Sequence, residues 1–227
     1  DLLITLGTSN CYTFFGDDEI LQSDCKIAVV NIDDKIFERN DINIDLGIRS
    51  DLKHFLIDIN SKIKDIDYQL WLDECHKIKN NSPMVTEDLA RNPINSYYLA
   101  RTLSEITDGR HIFVNDAGSS NYISSQSLNF NKGQRELTSG AFYTMGLTLP
   151  LAIGAAVVEP ESQIIAITGD GSIELNIQEL QTININNLNI KIVVINNGGY
   201  ASIRDSQDAM CGGRYTDDEQ ILNFMKI

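Results

Sequence analysis

Positive charge is scarce in this 227-residue chain. Lys and Arg together number 18 against 32 for Asp and Glu, leaving a net charge of −14. No basic run offsets that balance, which argues against nucleic acid or an anionic membrane surface as a partner. Long apolar runs are missing too: no stretch of about 18 uninterrupted apolar residues occurs, so no membrane span is expected. The four cysteines, Cys11, Cys25, Cys75 and Cys211, show no CxxC spacing. That excludes a zinc knuckle and a disulfide framework and points to reduced thiols in a cytoplasmic setting. No GxGxxG follows an apolar run, which counts against a dinucleotide-binding dehydrogenase. His54, His76 and His111 lie far apart, and packing or surface roles suit them better than catalysis. An initiator Met and a signal-peptide n-region are also lacking. Asp1–Leu6 reads as a strand already under way and Ile221–Ile227 as a helix cut short, so a piece of a longer polypeptide is expected.

What is present suits a globular α/β protein. Hydrophobic residues make up 42% and charged residues 22%, and the length allows one large domain or two small ones. Leu2–Leu6 and Ile27–Ile32 are apolar, β-branched runs ending in Gly7-Thr8-Ser9 and Asp33-Asp34, as buried parallel strands do. Leu52, Phe55, Leu56 and Ile59 have helical spacing within 51–59. Residues 61–95 are polar, with breakers at Asn80–Pro83 and Asn92-Pro93, and read as a linker holding a helix around Tyr68–Ile78. The βα rhythm then resumes. Ser96–Ile106 reads as a helix capped by Asn95 or Ser96, His111–Asn115 as a strand, and Met145–Val158 as a small-residue helix. Gln163–Thr168 and Lys191–Ile195 read as strands flanking a helix at Ile173–Asn184. Such lengths imply right-handed crossovers and parallel sheets. The expected architecture is two three-layer αβα units: residues 1–60, the linker at 61–95, and residues 96–227. The acidic runs Asp17-Asp18-Glu19 and Asp217-Asp218-Glu219 read as solvated surface.

The chemistry concentrates where two of these strands end. Gly169-Asp170-Gly171-Ser172 closes one, and Asn196-Asn197-Gly198-Gly199-Tyr200 closes the other. Adjacent parallel strands bring such loops together at the carboxyl edge, where open α/β sheets bind ligands. Glycines let the backbone approach a ligand, and a following helix aims N–H groups at an anion such as phosphate. Asp170 would repel phosphate unless a cation lay between them. With the Asn197 amide oxygen and the Gly199 carbonyl, it makes a hard, oxygen-only set suited to Mg²⁺. Each half alone has a plainer reading. Gly169–Gly171 could be an Asp-Gly turn, and Asn-Asn recurs at 80–81 and 186–187. What discriminates is the separation of 24 residues between Gly171 and Asn196, with both motifs closing buried strands.

GDG followed at that distance by NN resembles the signature of thiamine-diphosphate enzymes. Ser139-Gly-Ala-Phe-Tyr-Thr-Met-Gly-Leu-Thr-Leu-Pro-Leu-Ala-Ile-Gly-Ala155 is similar to the acetolactate-synthase pattern SGGLGTMGFGLPAAIGA. Asn115–Gln126 resembles that family's DVGQHQMWAAQ segment, with Ser119 and Ser120 where the family has Gln and His. The first third resembles the second half of the family's middle domain.

The resemblance implies a thiamine-diphosphate-binding fold preceded by part of a Rossmann-like middle domain. It implies thiamine diphosphate and Mg²⁺ as cofactors, with Asp170, Asn197 and Gly199 holding the metal. Ser119, Ser120, Gly171 and Ser172 would meet the diphosphate, and Leu175 would join the cofactor contacts. Met145 would wedge beneath the cofactor, and the carbonyl of Tyr143, where the family commonly has Gly, would accept from its amino group. As plainer alternatives, Met145 is core filler and the serines belong to a solvated loop. Arg204 and Gln207 could face a substrate carboxylate or serve a solvated or interdomain ion pair.

The implied reaction is decarboxylation of a pyruvate-like 2-keto acid with transfer of the acyl carbanion to a second carbonyl. The implied assembly is a homodimer or homotetramer with its active site at the subunit interface. The activating Glu would lie in an N-terminal domain outside these residues, so no catalytic residue is assigned and the 227 residues alone are expected to be inactive. A decarboxylase or lyase without ligation, and a non-catalytic module binding another phosphorylated ligand, remain open.

Overall fold

β-Branched residues in unbroken runs can be buried on both faces only in the middle of a sheet, and both sheets of this protein are arranged around such runs. The computed structural model describes residues 2–8, 24–40, 42–63 and 67–215. Cys11, Asp17-Asp18-Glu19, Asp217-Asp218-Glu219 and the helix expected at Ile221–Ile227 lie outside them. The chain divides into two compact units, Asp1–Glu74 and Cys75–Ile227. That division falls inside the stretch read as a linker.

In the first unit, β1 (Leu2–Leu6), β2 (Lys26–Asn31) and β3 (Leu46–Arg49) form a parallel sheet in the order β1-β2-β3. Central β2 is buried from Ile27 to Asn31. Ile27 and Val29 pack with Ile42, Ile36, Phe37 and Ile44. On α1 (Leu52–Lys62), Phe55 and Ile59 join Ala28, Val30 and Ile48 of the strands around an apolar hollow of about 230 Å³. Asp51 caps α1, accepting from the N–H of Lys53 at 2.9 Å and of His54 at 3.4 Å. The neighbouring loops bind each other: Asn31 donates to the Thr8 carbonyl and accepts from the Asp33 N–H, while Asp33 accepts from the Lys35 N–H. Helix α2 covers Gln69–Asn81.

The second unit opens with α3 (Ser96–Ile106), capped by Asn95. Its sheet, in the order β5-β4-β6-β7 and parallel throughout, consists of β4 (His111–Val114), β5 (Arg135–Leu137), β6 (Gln163–Gly169) and β7 (Ile190–Ile195). On one face Ile112, Val114, Ile164 and Ala166 meet Ala152, Ala155 and Ala156 of α5 (Thr148–Val158). Those alanines let the helix lie close to the sheet. On the other face Phe113, Ile165 and Ile167 meet Ala100 of α3 and Leu128, with Ile123 of α4 (Gly118–Ser127) beside them. Each fully buried Phe or Ile contributes about 1.5–3 kcal/mol, so Phe113, Ile164 and Ile167, all under 2% exposed, make this sheet's centre the firmest part of the unit. No helix among the described residues is long and apolar enough to cross a membrane.

Four local differences from the expected elements have physical causes. Helix α4 has no apolar stripe. It buries Ser120, Asn121, Ser124 and Ser127 instead, and Asn121 bonds the Asn115 and Thr138 side chains, each at 2.7 Å. The helix expected from Met145 starts at Thr148, because Tyr143 and Gly146 have positive φ and take the chain through a loop. The helix expected over Ile173–Asn184 is three pieces: α6 (Asp170–Ile173), a 3₁₀ turn at Glu174–Asn176 and α7 (Glu179–Ile185). Asn176 pins the turn by donating to the Gly146 carbonyl at 2.8 Å. The unforeseen strands β3 and β5, of four and three residues, are sheet edges too short to show a period.

Candidate functional site

Strand register places the two polar loops side by side. Gly169 pairs with Ile195 at the carboxyl ends of β6 and β7, so Asp170 and Asn196 leave the sheet at one level. A cavity of about 220 Å³ opens there. Ser119, Ser120, Tyr143, Met145, Asp170, Gly171, Ser172, Asn197 and Gly199 all line it. Leu175 does not; it sits in the 3₁₀ turn, 55% exposed, packed against Gly146.

Asp170 is the floor of this cavity, 3% exposed. Its carboxylate accepts from the Gly171 N–H at 3.0 Å and the Gly199 N–H at 2.7 Å. The second bond ties the two motif loops together across 29 residues of sequence. Each carboxylate oxygen keeps a further acceptor direction. The Asn197 side chain is exposed at the rim, and Gly199, with φ +89°, is buried beside Asp170. One carboxylate with an amide oxygen and a backbone carbonyl fits a small hard cation. At Gly171 an added Cβ would lie 2.7 Å from the Tyr200 ring, so a side chain there would have to displace that ring from the cavity wall.

The walls suit an anion. Helix α4 begins at Gly118 after Ala117, and α8 (Ala201–Cys211) begins after Tyr200; neither end has a side-chain cap. Both first turns face the cavity through Gly118, Ser119, Ser120, Ala201 and Ser202. Uncapped first-turn N–H groups and the helix dipole together favour negative charge. The hydroxyls are less available than the sequence alone suggests. Ser120 donates to the Ala117 carbonyl at 2.7 Å and Ser172 to Asp116 at 2.6 Å, so donation from Ser172 to a ligand falls to its backbone N–H. The Ser119 hydroxyl stands 3.5 Å from that of Ser202.

The rim opposite is aromatic. Tyr143 has φ 46° and ψ 44°, left-handed geometry that costs a non-glycine residue about 1–2 kcal/mol. It is the position where the resembled pattern carries Gly. The Tyr143 ring meets that of Tyr122, centroids 5.8 Å apart, an aromatic contact that offsets part of the strain. Met145 is half-buried between this rim and the Asp170 turn.

Arg204 turns out to brace the Asn196–Tyr200 loop. Its guanidinium donates to the carbonyls of Gly198 at 2.9 Å and Asn197 at 3.2 Å. Gln207, also in α8, is outside the cavity lining. His54 and His76 are exposed on α1 and α2, and His111 at the start of β4 contacts Asp108 at 3.0 Å. Two residues at the site were not singled out by sequence. Tyr200 lies over Gly171, and Asp116, wholly buried, binds the hydroxyl of Ser172. Asp116 lies in the Asn115–Gln126 segment, whose resemblance gives it no role; only its partners' positions reveal one.

A family model described as "Thiamine pyrophosphate enzyme, C-terminal TPP binding domain" matches residues 116–227. The chain is 29% identical over 214 residues to the chloroplastic acetolactate synthase of Arabidopsis thaliana, covering 92% of this chain and 32% of that protein. It is 31% identical over 192 residues to the acetolactate synthase large subunit of Buchnera aphidicola subsp. Acyrthosiphon pisum, covering 82% and 34%. To the acetolactate synthase of Mycobacterium leprae it is 27% identical over 239 residues, covering 100% and 38%. The chain thus spans about a third of the length of these curated relatives.

Proposed function

We propose that this chain, which over residues 116–227 belongs to the thiamine pyrophosphate enzymes with a C-terminal TPP-binding domain, binds thiamine diphosphate with Mg²⁺ in the cavity above Asp170. The reaction this site would serve is decarboxylation of a pyruvate-like 2-keto acid with transfer of the acyl unit to a second carbonyl, as in acetolactate synthases. The observation that carries the reading is the convergence of two uncapped helix ends and a buried carboxylate on one cavity. A net-negative protein can hold a diphosphate there only with a cation and focused backbone donors, and both requirements have candidates.

Thiamine diphosphate, when bound, supplies the electron sink that decarboxylation of a 2-keto acid needs. The protein's part is position and electrostatics. Asp170, the Asn197 amide oxygen and the Gly199 carbonyl would hold Mg²⁺, with Arg204 fixing the Asn197–Gly198 backbone. Gly171, Ser172, Ser119 and Ser120 would present N–H groups to the phosphates. Met145 would support the apolar part of the cofactor, and the Tyr143 carbonyl would accept from its amino group. In the same reading a longer polypeptide containing these residues acts on small 2-keto acids and carbonyl acceptors as a cytoplasmic homodimer or homotetramer. Support for a covering subunit comes from the rim, where Phe142 is 88% exposed beside Tyr143.

Calorimetric titration tests the site. Thiamine diphosphate binds the chain in the presence of MgCl₂ and not in EDTA, and Asp170→Ala abolishes that binding. Undiminished, magnesium-dependent binding by Asp170→Ala would remove Asp170 from the site.

A further inference from the structure

Asp116, two residues past the end of β4, is 0% exposed, yet it is a carboxylate. A buried carboxylate persists only when its oxygens are bonded: its Oδ1 accepts the Ala117 N–H at 2.7 Å, and the bonds to its Oδ2 lead to one loop and to the turn after Asp170. Its Oδ2 accepts the Ser172 hydroxyl at 2.6 Å, and that hydroxyl accepts the Gly146 N–H at 2.8 Å. The same Oδ2 accepts the Thr148 N–H at 3.2 Å, at the start of α5, which has no side-chain cap of its own. From the backbone side, the Asp116 carbonyl accepts the Ser139 hydroxyl at 2.7 Å, and Ser139 accepts the Thr144 N–H at 3.1 Å. Alternate N–H groups, those of Thr144, Gly146 and Thr148, therefore all lead back to Asp116, two of them through a serine hydroxyl. Met145 lies between two of these fixed points, and Ser172 belongs to the turn that follows Asp170.

We propose that Asp116 is a positioning residue: through Ser139 and Ser172 it clamps the loop carrying Tyr143 and Met145 to the Asp170 turn. Each hydroxyl is donor to Asp116 and acceptor from the loop, so loss of either leaves a loop N–H without its acceptor. An amide at Asp116 would turn a donor toward either the Ala117 N–H or the Thr148 N–H, whichever way it is oriented. The clamp sets the distance between the apolar and the anion-binding parts of the cavity. Its link to cofactor rests on the function proposed above; its existence does not.

Hydrogen exchange on the ligand-free chain decides the matter. Ser139→Ala and Ser172→Ala each speed exchange over residues 143–148 about tenfold, while β4 and β6 keep wild-type rates. Asp116→Asn does the same more strongly; if it fails to fold, the two serine variants suffice. Unchanged exchange over 143–148 in both serine variants overturns the clamp, and so does a uniform rise across the sheet, which marks general destabilisation. A second measurement separates the clamp from the functional reading. In Ser139→Ala, thiamine diphosphate binds about tenfold more weakly, while inorganic pyrophosphate with Mg²⁺ binds as in wild type. Equal weakening of both ligands, or of neither, removes the positioning role. A wild-type chain indifferent to both ligands sinks the functional reading, and the exchange result still decides the clamp.

Discussion

The two units share a plan, parallel strands with loops gathered at the carboxyl edge, and differ in how those loops satisfy their polar groups. Among the described residues of the first unit the edge loops bond one another: Asp51 caps α1, Asp33 caps the 3₁₀ turn, and Asn31 bonds Thr8 and Asp33. In the second, α4 and α8 begin without side-chain caps, and their first turns line a cavity. Fold alone therefore does not mark the site. Cap chemistry does, since a helix end without a side-chain cap in a concave wall is free to take an external anion.

The largest effect should come from making the second edge resemble the first. Ala117 has extended backbone, φ −151° and ψ 168°, suited to a capping residue. Ala117→Asp should cap α4 and place a negative charge in the anion site. At about 8 Å and an effective dielectric near 20, that repulsion is about 2 kcal/mol per phosphate charge, or roughly thirtyfold in affinity. Titration with thiamine diphosphate and MgCl₂ reads it; unchanged affinity would place the phosphates elsewhere. The converse change, Asp51→Ala, removes a cap from the first unit. It should cost about 1 kcal/mol of stability in denaturant unfolding and leave thiamine diphosphate affinity unaltered, and an affinity loss would break the comparison.

The smallest effect concerns the carboxylate of Glu136, half-buried on edge strand β5. Burial pushes its carboxyl above the ordinary value of 4.5, against hydrogen bonds from Asn115 and Ser125 that pull it down. A group raised in the folded state stabilises below its unfolded pKa, and that contribution is lost as pH rises through the folded value. Glu136→Gln should therefore raise the melting temperature slightly at pH 7, and the gain should vanish as pH falls toward 4.5. A gain that persisted at low pH would point to packing instead.

How much of this was legible in the sequence follows from where each signal resides. Strands β2 and β6 are visible because central strands covered on both faces are continuous β-branched runs. Helix α4 was hidden, since its buried residues are Ser and Asn, held by hydrogen bonds rather than by an apolar stripe. The meeting of Asp170 with Asn197 and Gly199 followed from two parallel strands ending in polar loops. Asp116 could not be found that way. Its partners Thr148 and Ser172 lie 32 and 56 residues on, and nothing in an isolated serine announces a relay. Tyr143 shows a third case: the sequence exposes the departure from glycine, but only the backbone shows that the tyrosine occupies the left-handed geometry glycine would accept freely.

The pairing of Gly169 with Ile195 separates two quantities that the primary sequence confounds. The motif interval is set by a chain that leaves β6, crosses by α7 and returns, and the return path contributes nothing to the cavity floor. Insertions at Asn186–Asn189, after α7, would lengthen the interval and leave the loops level. A single insertion within Ile190–Ile195 would shift Asn197 by one strand residue, about 3.3 Å, and reverse the face of every side chain beyond it. Strand alignment, rather than motif interval, is the quantity to preserve when grafting or redesigning this site.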